Sequence, residues 1–205
     1  MRADRQPPAF LYLASASPRR SELLRQLGIE VRVTPAQVDE AIRPGEAAEA
    51  YVARLALEKS RAALQVLEAA GAPLRAAVLA ADTAVVVDEL ILGKPSDAAD
   101  AAQMLNLLSG RDHEVLTSVA VCDSVRAMVV VNRTGVRFRE LEADEITAYW
   151  HSGEPAGKAG GYAIQGMGTI FIEEIRGSYS GVMGLPLFET ARLLRDFGYR
   201  LLPPF

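Results

Sequence analysis

The side chains able to do chemistry in this chain are a few cations and carboxylates set at the ends of apolar runs. Arg19 and Arg20 stand together in the first turn of a predicted helix, the end that favours acidic residues. The apolar run Phe10 to Ala14 stops at Ser15 and Ser17; Ser17 is a natural N-cap, and Pro18 suits the first helical position. A strand feeding a helix through such a corner leaves unpaired N–H groups with the helix dipole behind them, which makes an anion site. The arginines are either solvated, or paired with Glu22 and another acid, or neutralised by a phosphate chain. The capped corner and its hydroxyls favour the phosphate. Asp82 follows a run of alanines and valines, where a central strand is expected to emerge, with Thr83 beside it. Its surroundings decide whether it caps a turn, serves as a base, or binds a metal.

Other candidates are weaker alone. Lys94 lies between Gly93 and Pro95 on a stiff loop, and Lys59 lies inside a helical pattern next to Glu58. Asp39 and Glu40 offer hard oxygen donors that could join Asp82 around a divalent cation. Gln165 stands among Gly160, Gly161, Gly166 and Gly168. Those glycines permit close approach to a ligand, and the amide can read both a donor and an acceptor on a base edge. Ser178 and Ser180 add hydroxyls. His113 and His151 receive no role, and Cys122, within an apolar run, reads as a small buried hydrophobe. No P-loop, strand-linked Gly-x-Gly-x-x-Gly, nucleophile elbow or His-Glu-x-x-His helix is present.

The elements that position these residues alternate. A helix from Pro18 stops at Gly28, and Ile29 to Val33 alternates like a strand. After Pro44-Gly45 a long helix runs through Tyr51, Leu55, Leu57 and Leu64 to Gly71-Ala72-Pro73. Ala76 to Ala81 reads as a strand buried on both faces and ending at Asp82; Ala84 to Val87 resumes it, and Leu90 to Gly93 leads to Lys94. A helix over Asp97 to Leu108 is capped by Ser96 or Asp97. Strands His113 to Val121 and Ala127 to Phe138 follow, the second kinked near Gly135. A helix near Asp144 to Trp150, a strand Thr169 to Ile175 and a helix opened by Pro186 complete the order. The class is α/β with a mixed sheet, since some strands are joined too tightly for crossovers.

The 205 residues carry a net charge of −4, with 50% hydrophobic and 23% charged residues. That composition suits a folded domain and argues against nucleic acid as partner, since such proteins present a basic face. A nucleotide needs only a local cation cluster. A lone cysteine fits a reducing compartment. The apolar piece Ala9 to Ala14 is too short for an export signal, and no apolar run approaches a membrane span. The expectation is a cytoplasmic protein, with residues 1–9 a flexible extension and residues 10–205 a single domain.

Five motifs in register, covering about Leu11 to Phe197, resemble the Maf family of nucleoside triphosphate pyrophosphatases. They are Ser15-x-Ser17-Pro18-Arg19-Arg20, Ala81-Asp82-Thr83, Gly93-Lys94-Pro95, Tyr162-x-Ile164-Gln165-Gly166, and Gly177-Ser178-Tyr179 with Gly184-Leu185-Pro186-Leu187. The resemblance implies an elongated, twisted mixed sheet flanked by helices, in two lobes around a central cleft, as in inosine triphosphatase-like folds. It implies cleavage of a nucleoside triphosphate between its α and β phosphates, with Mg²⁺ or Mn²⁺ as cofactor and often a homodimer. The Gln-Gly form of the fourth motif is similar to the branch acting on dTTP and UTP. Carried over, Asp82 becomes the proton acceptor, and Arg19, Thr83 and Gln165 become determinants of substrate choice. Arg20, Lys59 and Lys94 become triphosphate contacts, with Ser15 and Ser17 beside them, and Glu40 and Asp82 become metal partners. Two departures stand out: Ala81 replaces a glycine common in the family, and Asp88-Glu89 replaces an Asp-Gly turn. The rival readings are an inosine or xanthosine triphosphate pyrophosphatase and a nucleotide-binding regulator of cell division.

Overall fold

The apolar runs fold as strands of one mixed sheet, in a computed structural model that describes residues 8–72 and 76–201. Residues 1–7, most of the expected extension, lie outside the described residues, as do Pro73 and residues 202–205. Seven strands are described: β1 Leu11–Leu13, β2 Val31–Val33, β3 Val78–Val87, β4 Leu90–Leu92, β5 Asp112–Cys122, β6 Ala127–Phe138 and β7 Ile172–Arg176. The order is β2-β1-β3-β5-β6-β7, with β4 also paired to β3. The β1 pairings are parallel and all others antiparallel. Around the sheet lie α1 Pro18–Gln26, α2 Ala48–Ala69, α3 Ala98–Leu108, α4 Ala143–His151, α5 Tyr179–Val182 and α6 Leu187–Asp196. Among the described residues no helix is long and apolar enough to cross a membrane.

The two-residue period of β3 explains the layout. On one face Leu79 and Ala81 pack with Leu23, Leu24, Leu193 and Leu194 of α1 and α6. Further along that face Val85 and Val87 pack with Met104, Leu105 and Ile146 of α3 and α4. On the other face Val78 and Ala80 meet Ala63 and Leu67 of α2, while Ala84 and Val86 meet Val52 near its other end. Thr83 and Asp82 are the polar residues of β3 between these pairs of clusters.

Asp82 does not end a strand: β3 runs unbroken for ten residues with Asp82 at its middle. The expected strand end is nonetheless half right. Along one edge β5 pairs β3 from Val78 to Val86. On the other edge β1 pairs only Val78 and Leu79, and β4 only Val85 to Val87. Ala80 to Ala84 therefore face a gap in the sheet, and the cleft lies there. Ala81 is fully buried in the apolar cluster on the face opposite Asp82, so its methyl, where the family often has glycine, adds packing there.

Three other expectations shift. The irregularity in β6 falls between Arg137 and Phe138, where its pairing with β7 changes register, while Gly135 is regularly paired. The strand expected from Thr169 begins at Ile172, because Met167–Phe171 wind as a 3₁₀ turn. Short helix α5 forms within the second glycine-rich loop, with Ser178 capping it through its side chain.

Candidate active site

β1 delivers the chain into the corner Ala14 to Ser17, and α1 leaves it with Pro18 at its first position. Ser17 occupies the N-cap position, but its side chain makes no capping bond; its amide donates to Ser15 Oγ at 3.2 Å. Neither arginine pairs with Glu22 among the described residues. Arg20 turns inward, donating from Nε to the Gly184 carbonyl (2.9 Å), from Nη1 to Ser15 Oγ (3.2 Å) and from Nη2 to Thr83 Oγ1 (3.2 Å). Burial pushes its guanidinium below the ordinary value, while the charges of Asp82 and Glu40 act the other way. Arg19 reaches across the cleft mouth and donates to the Gln165 carbonyl at 3.4 Å. The conflict between these cations and the helix end is thus met in part by protein acceptors, with the corner still facing the cleft.

The cleft floor is a line of alternating charge. Lys59, presented by α2, lies 2.7 Å from Asp82 Oδ1 and 2.6 Å from Glu40 Oε1. Lys94 Nζ lies 3.6 Å from the other Glu40 oxygen. Lys59 is only 12% exposed, so the helical lysine that looked unremarkable in sequence is a fixed member of the site. Burial raises the Asp82 carboxyl above the usual carboxylate range, opposed by Lys59 and Arg20. Glu40 is held below that range, chiefly by its hydrogen bond to Lys59. Asp39 does not join them; its carboxylate accepts from the Ala41 amide at 2.9 Å on the exposed surface. Thr83 points to the opposite face, where its hydroxyl meets Arg20 and, at 3.0 Å, Thr117 Oγ1. Thr117 donates to the Gly181 carbonyl at 2.8 Å, tying the second glycine-rich loop to the sheet.

The cleft encloses about 640 Å³, and its walls include Ser15, Ser17, Arg19, Arg20, Glu40, Lys59, Asp82, Thr83 and Lys94. Most sequence candidates therefore converge; Gln165 is exposed at the rim rather than in the wall, and Asp39, Ser178 and Ser180 lie outside the cleft lining. Lys158 lines the wall and is a cation that sequence reasoning missed. Its signal was position alone, just before Ala159-Gly160-Gly161 in a passage read only for its glycines. Burial and the nearby Arg19 push its ammonium down. The cleft thus gathers five cations against two carboxylates in a chain of net charge −4. His113 is buried, with Nε2 2.8 Å from the Tyr162 hydroxyl, and burial pushes it down to about 4, so it supports the cleft wall as a neutral ring.

Such a site suits a small polyanion. Asp82 is a largely buried carboxylate, and Glu40 and Asp82 are hard oxygen donors already sharing one cation, the Lys59 ammonium. No cluster of three or more His, Cys, Asp or Glu side chains suited to a metal occurs among the described residues. Two carboxylates still fit Mg²⁺, which is commonly held by one or two of them together with substrate phosphates.

A family model described as Maf-like protein matches residues 10–197. The dTTP/UTP pyrophosphatase of Aromatoleum aromaticum is 52% identical over 202 residues, covering 94% of this chain and 98% of that one. The dTTP/UTP pyrophosphatase of Methylococcus capsulatus is 54% identical over 188 residues, covering 92% and 91%. That of Chromobacterium violaceum is 52% identical over 191 residues, covering 93% and 96%.

Proposed function

The chain belongs to the Maf family, and from that premise we propose that it hydrolyses dTTP and UTP to the nucleoside monophosphate and pyrophosphate. The observation that carries this reading is the 2.7 Å contact between Lys59 and the buried Asp82 at the floor of a cation-rich cleft. One water adds to the α-phosphorus, the bond to the bridging α–β oxygen breaks, and the water's proton passes to Asp82. A base with a raised pKa holds that proton more readily than an exposed aspartate would. Lys59 keeps Asp82 oriented and favours its ionised form before attack. Arg20 and Lys94, with the hydroxyls of Ser15 and Ser17, receive the phosphate chain and the charge that builds on the leaving pyrophosphate.

Glu40 and Asp82 would hold Mg²⁺ or Mn²⁺ jointly with the substrate phosphates. The metal would neutralise phosphate charge. Gln165 reads the pyrimidine edge from the rim beside Arg19, and Thr83 bears on substrate choice through the Arg20 guanidinium, from which its hydroxyl accepts. A wrong base leaves polar groups there unpaired, which is how a small pocket discriminates. The lone cysteine, a buried free thiol, supports a reducing, cytoplasmic setting, and the acidic net charge supports a free nucleotide rather than nucleic acid as partner. A homodimer follows from the family resemblance and is checked by sedimentation.

Hydrolysis of dTTP in ¹⁸O-labelled water tests the bond cleaved. The label is expected in the monophosphate, none of it in pyrophosphate, and Asp82→Asn should lower turnover by about 10²–10⁴-fold, the scale of losing a general base. Label in pyrophosphate, or release of orthophosphate, would contradict the proposal.

A further inference from the structure

The segment bearing Gln165 has no ladder to hold it, since residues 162–166 belong to no helix or strand. One carboxylate does that work. Glu154, in the turn after α4, accepts from the Met167 amide (2.9 Å) on Oε2 and from the Gly168 amide (2.9 Å) on Oε1. The same Oε1 accepts from the Tyr149 hydroxyl at 2.8 Å. That hydroxyl in turn accepts from the Ala163 amide at 3.0 Å. The backbone on both sides of Gln165 therefore hangs from a single Tyr–Glu pair on and beside α4.

The local glycines make room for this pair. A Cβ on Gly166 would lie 2.1 Å from Glu154 Oε2, and one on Gly168 would lie 2.5 Å from the Tyr149 hydroxyl. Gly166 also sits at φ +146°, a conformation that side chains rarely adopt. Burial alone would push the Glu154 carboxyl up. The amides of Gly168 and Met167, the Tyr149 hydroxyl and the charge of Arg19 outweigh it, and the group is held ionised. Charge-assisted hydrogen bonds of this kind are about twice as strong as neutral ones, and they give direction as well as energy. Arg19 meets Gln165 at its carbonyl, so the loop is held from the cleft side as well.

We propose that Glu154, oriented by Tyr149, is a positioning residue that sets the Gln165 loop and thereby the choice of base, without itself touching substrate. The inference rests on the pyrimidine triphosphatase reading above. Glu154→Gln keeps the shape but turns one acceptor oxygen into a donor, so at least one of the three bonds is replaced by two facing donors. In this variant KM for dTTP is expected to rise about tenfold, with kcat within about threefold of wild type. The preference for dTTP over ITP, measured as the ratio of kcat/KM values, is expected to fall about tenfold. Tyr149→Phe, which keeps the ring, should move both quantities in the same direction by less. The double variant should be within about twofold of Glu154→Gln, because the two residues act as one unit. Hydrogen exchange at the Met167 and Gly168 amides should quicken by tenfold or more in Glu154→Gln while the sheet amides stay protected.

Wild-type KM and wild-type base preference in both single variants would overturn the inference. So would a loss of kcat shared equally by all triphosphates with no change in Met167 and Gly168 exchange. If instead the wild-type protein cleaves no pyrimidine triphosphate, the functional reading falls and takes this inference with it.

Discussion

Asp82 and Lys59 illustrate what a single residue can and cannot announce. Asp82 was legible because a carboxylate interrupting a run of apolar residues is costly to bury without a purpose or a partner. Its partner was not legible, since Lys59 stands 23 positions earlier in a helix whose pattern makes it look solvated. Only the docking of α2 across β3 brings them together. Their coupling sets a pH dependence. Burial raises the Asp82 carboxyl, and Lys59 pulls it back. As the proposed base, Asp82 has to be ionised, so activity is expected to fall as pH drops through this raised pKa, with the acid limb of kcat/KM above the ordinary aspartate range. Lys59→Met removes the opposing charge and should move that limb to still higher pH. A pH–rate series on both proteins checks this. A limb unmoved in Lys59→Met would mean that Asp82 does not titrate in the rate.

At the scale of elements, alternation of apolar runs and helical periods was enough to order the strands and helices. The order did not reveal where strands stop. Asp82-Thr83 looked like a strand end because polar residues broke the run, yet β3 continues, since each finds a partner on its own face. The 3₁₀ turn before β7 was hidden for a similar reason: Glu154 holds the Met167 and Gly168 amides away from any ladder. The turn joining β3 and β4 gives a stability test. Asp88 and Glu89 both adopt positive φ, 48° and 65°, as a two-residue hairpin of the primed type requires. Neither is glycine, so the chain carries strain that the family's Asp-Gly turn avoids. Glu89→Gly is expected to stabilise the protein by about 1 kcal/mol, allowing for glycine's greater freedom when unfolded. The thermal midpoint should then rise by about 2–4 °C. An unchanged or lowered midpoint in a melting curve would show that the turn is relaxed as it stands.

The whole molecule joins two features that composition kept apart. Its net charge is −4, yet folding collects Arg19, Arg20, Lys59, Lys94 and Lys158 around one cleft. That cleft lies where β1 has ended and β4 has not begun, a gap that depends on long-range pairing and cannot be read from local pattern. Four of those cations are legible in sequence; Lys158 is not, because a lone lysine before a glycine pair carries no local signal of its own. In the proposed reaction the floor of alternating charge receives the triphosphate, and the Gln165 rim receives the base. The most direct measurement is kcat/KM for pyrophosphate release from dTTP, UTP, CTP, ATP, GTP, ITP, XTP and 7-methyl-GTP, each with Mg²⁺ or Mn²⁺. Values for dTTP and UTP at least about tenfold above every purine triphosphate are expected, the scale that a base-reading amide supplies. Dominant turnover of ITP or XTP, or binding of nucleotides without turnover of any, would contradict the assignment.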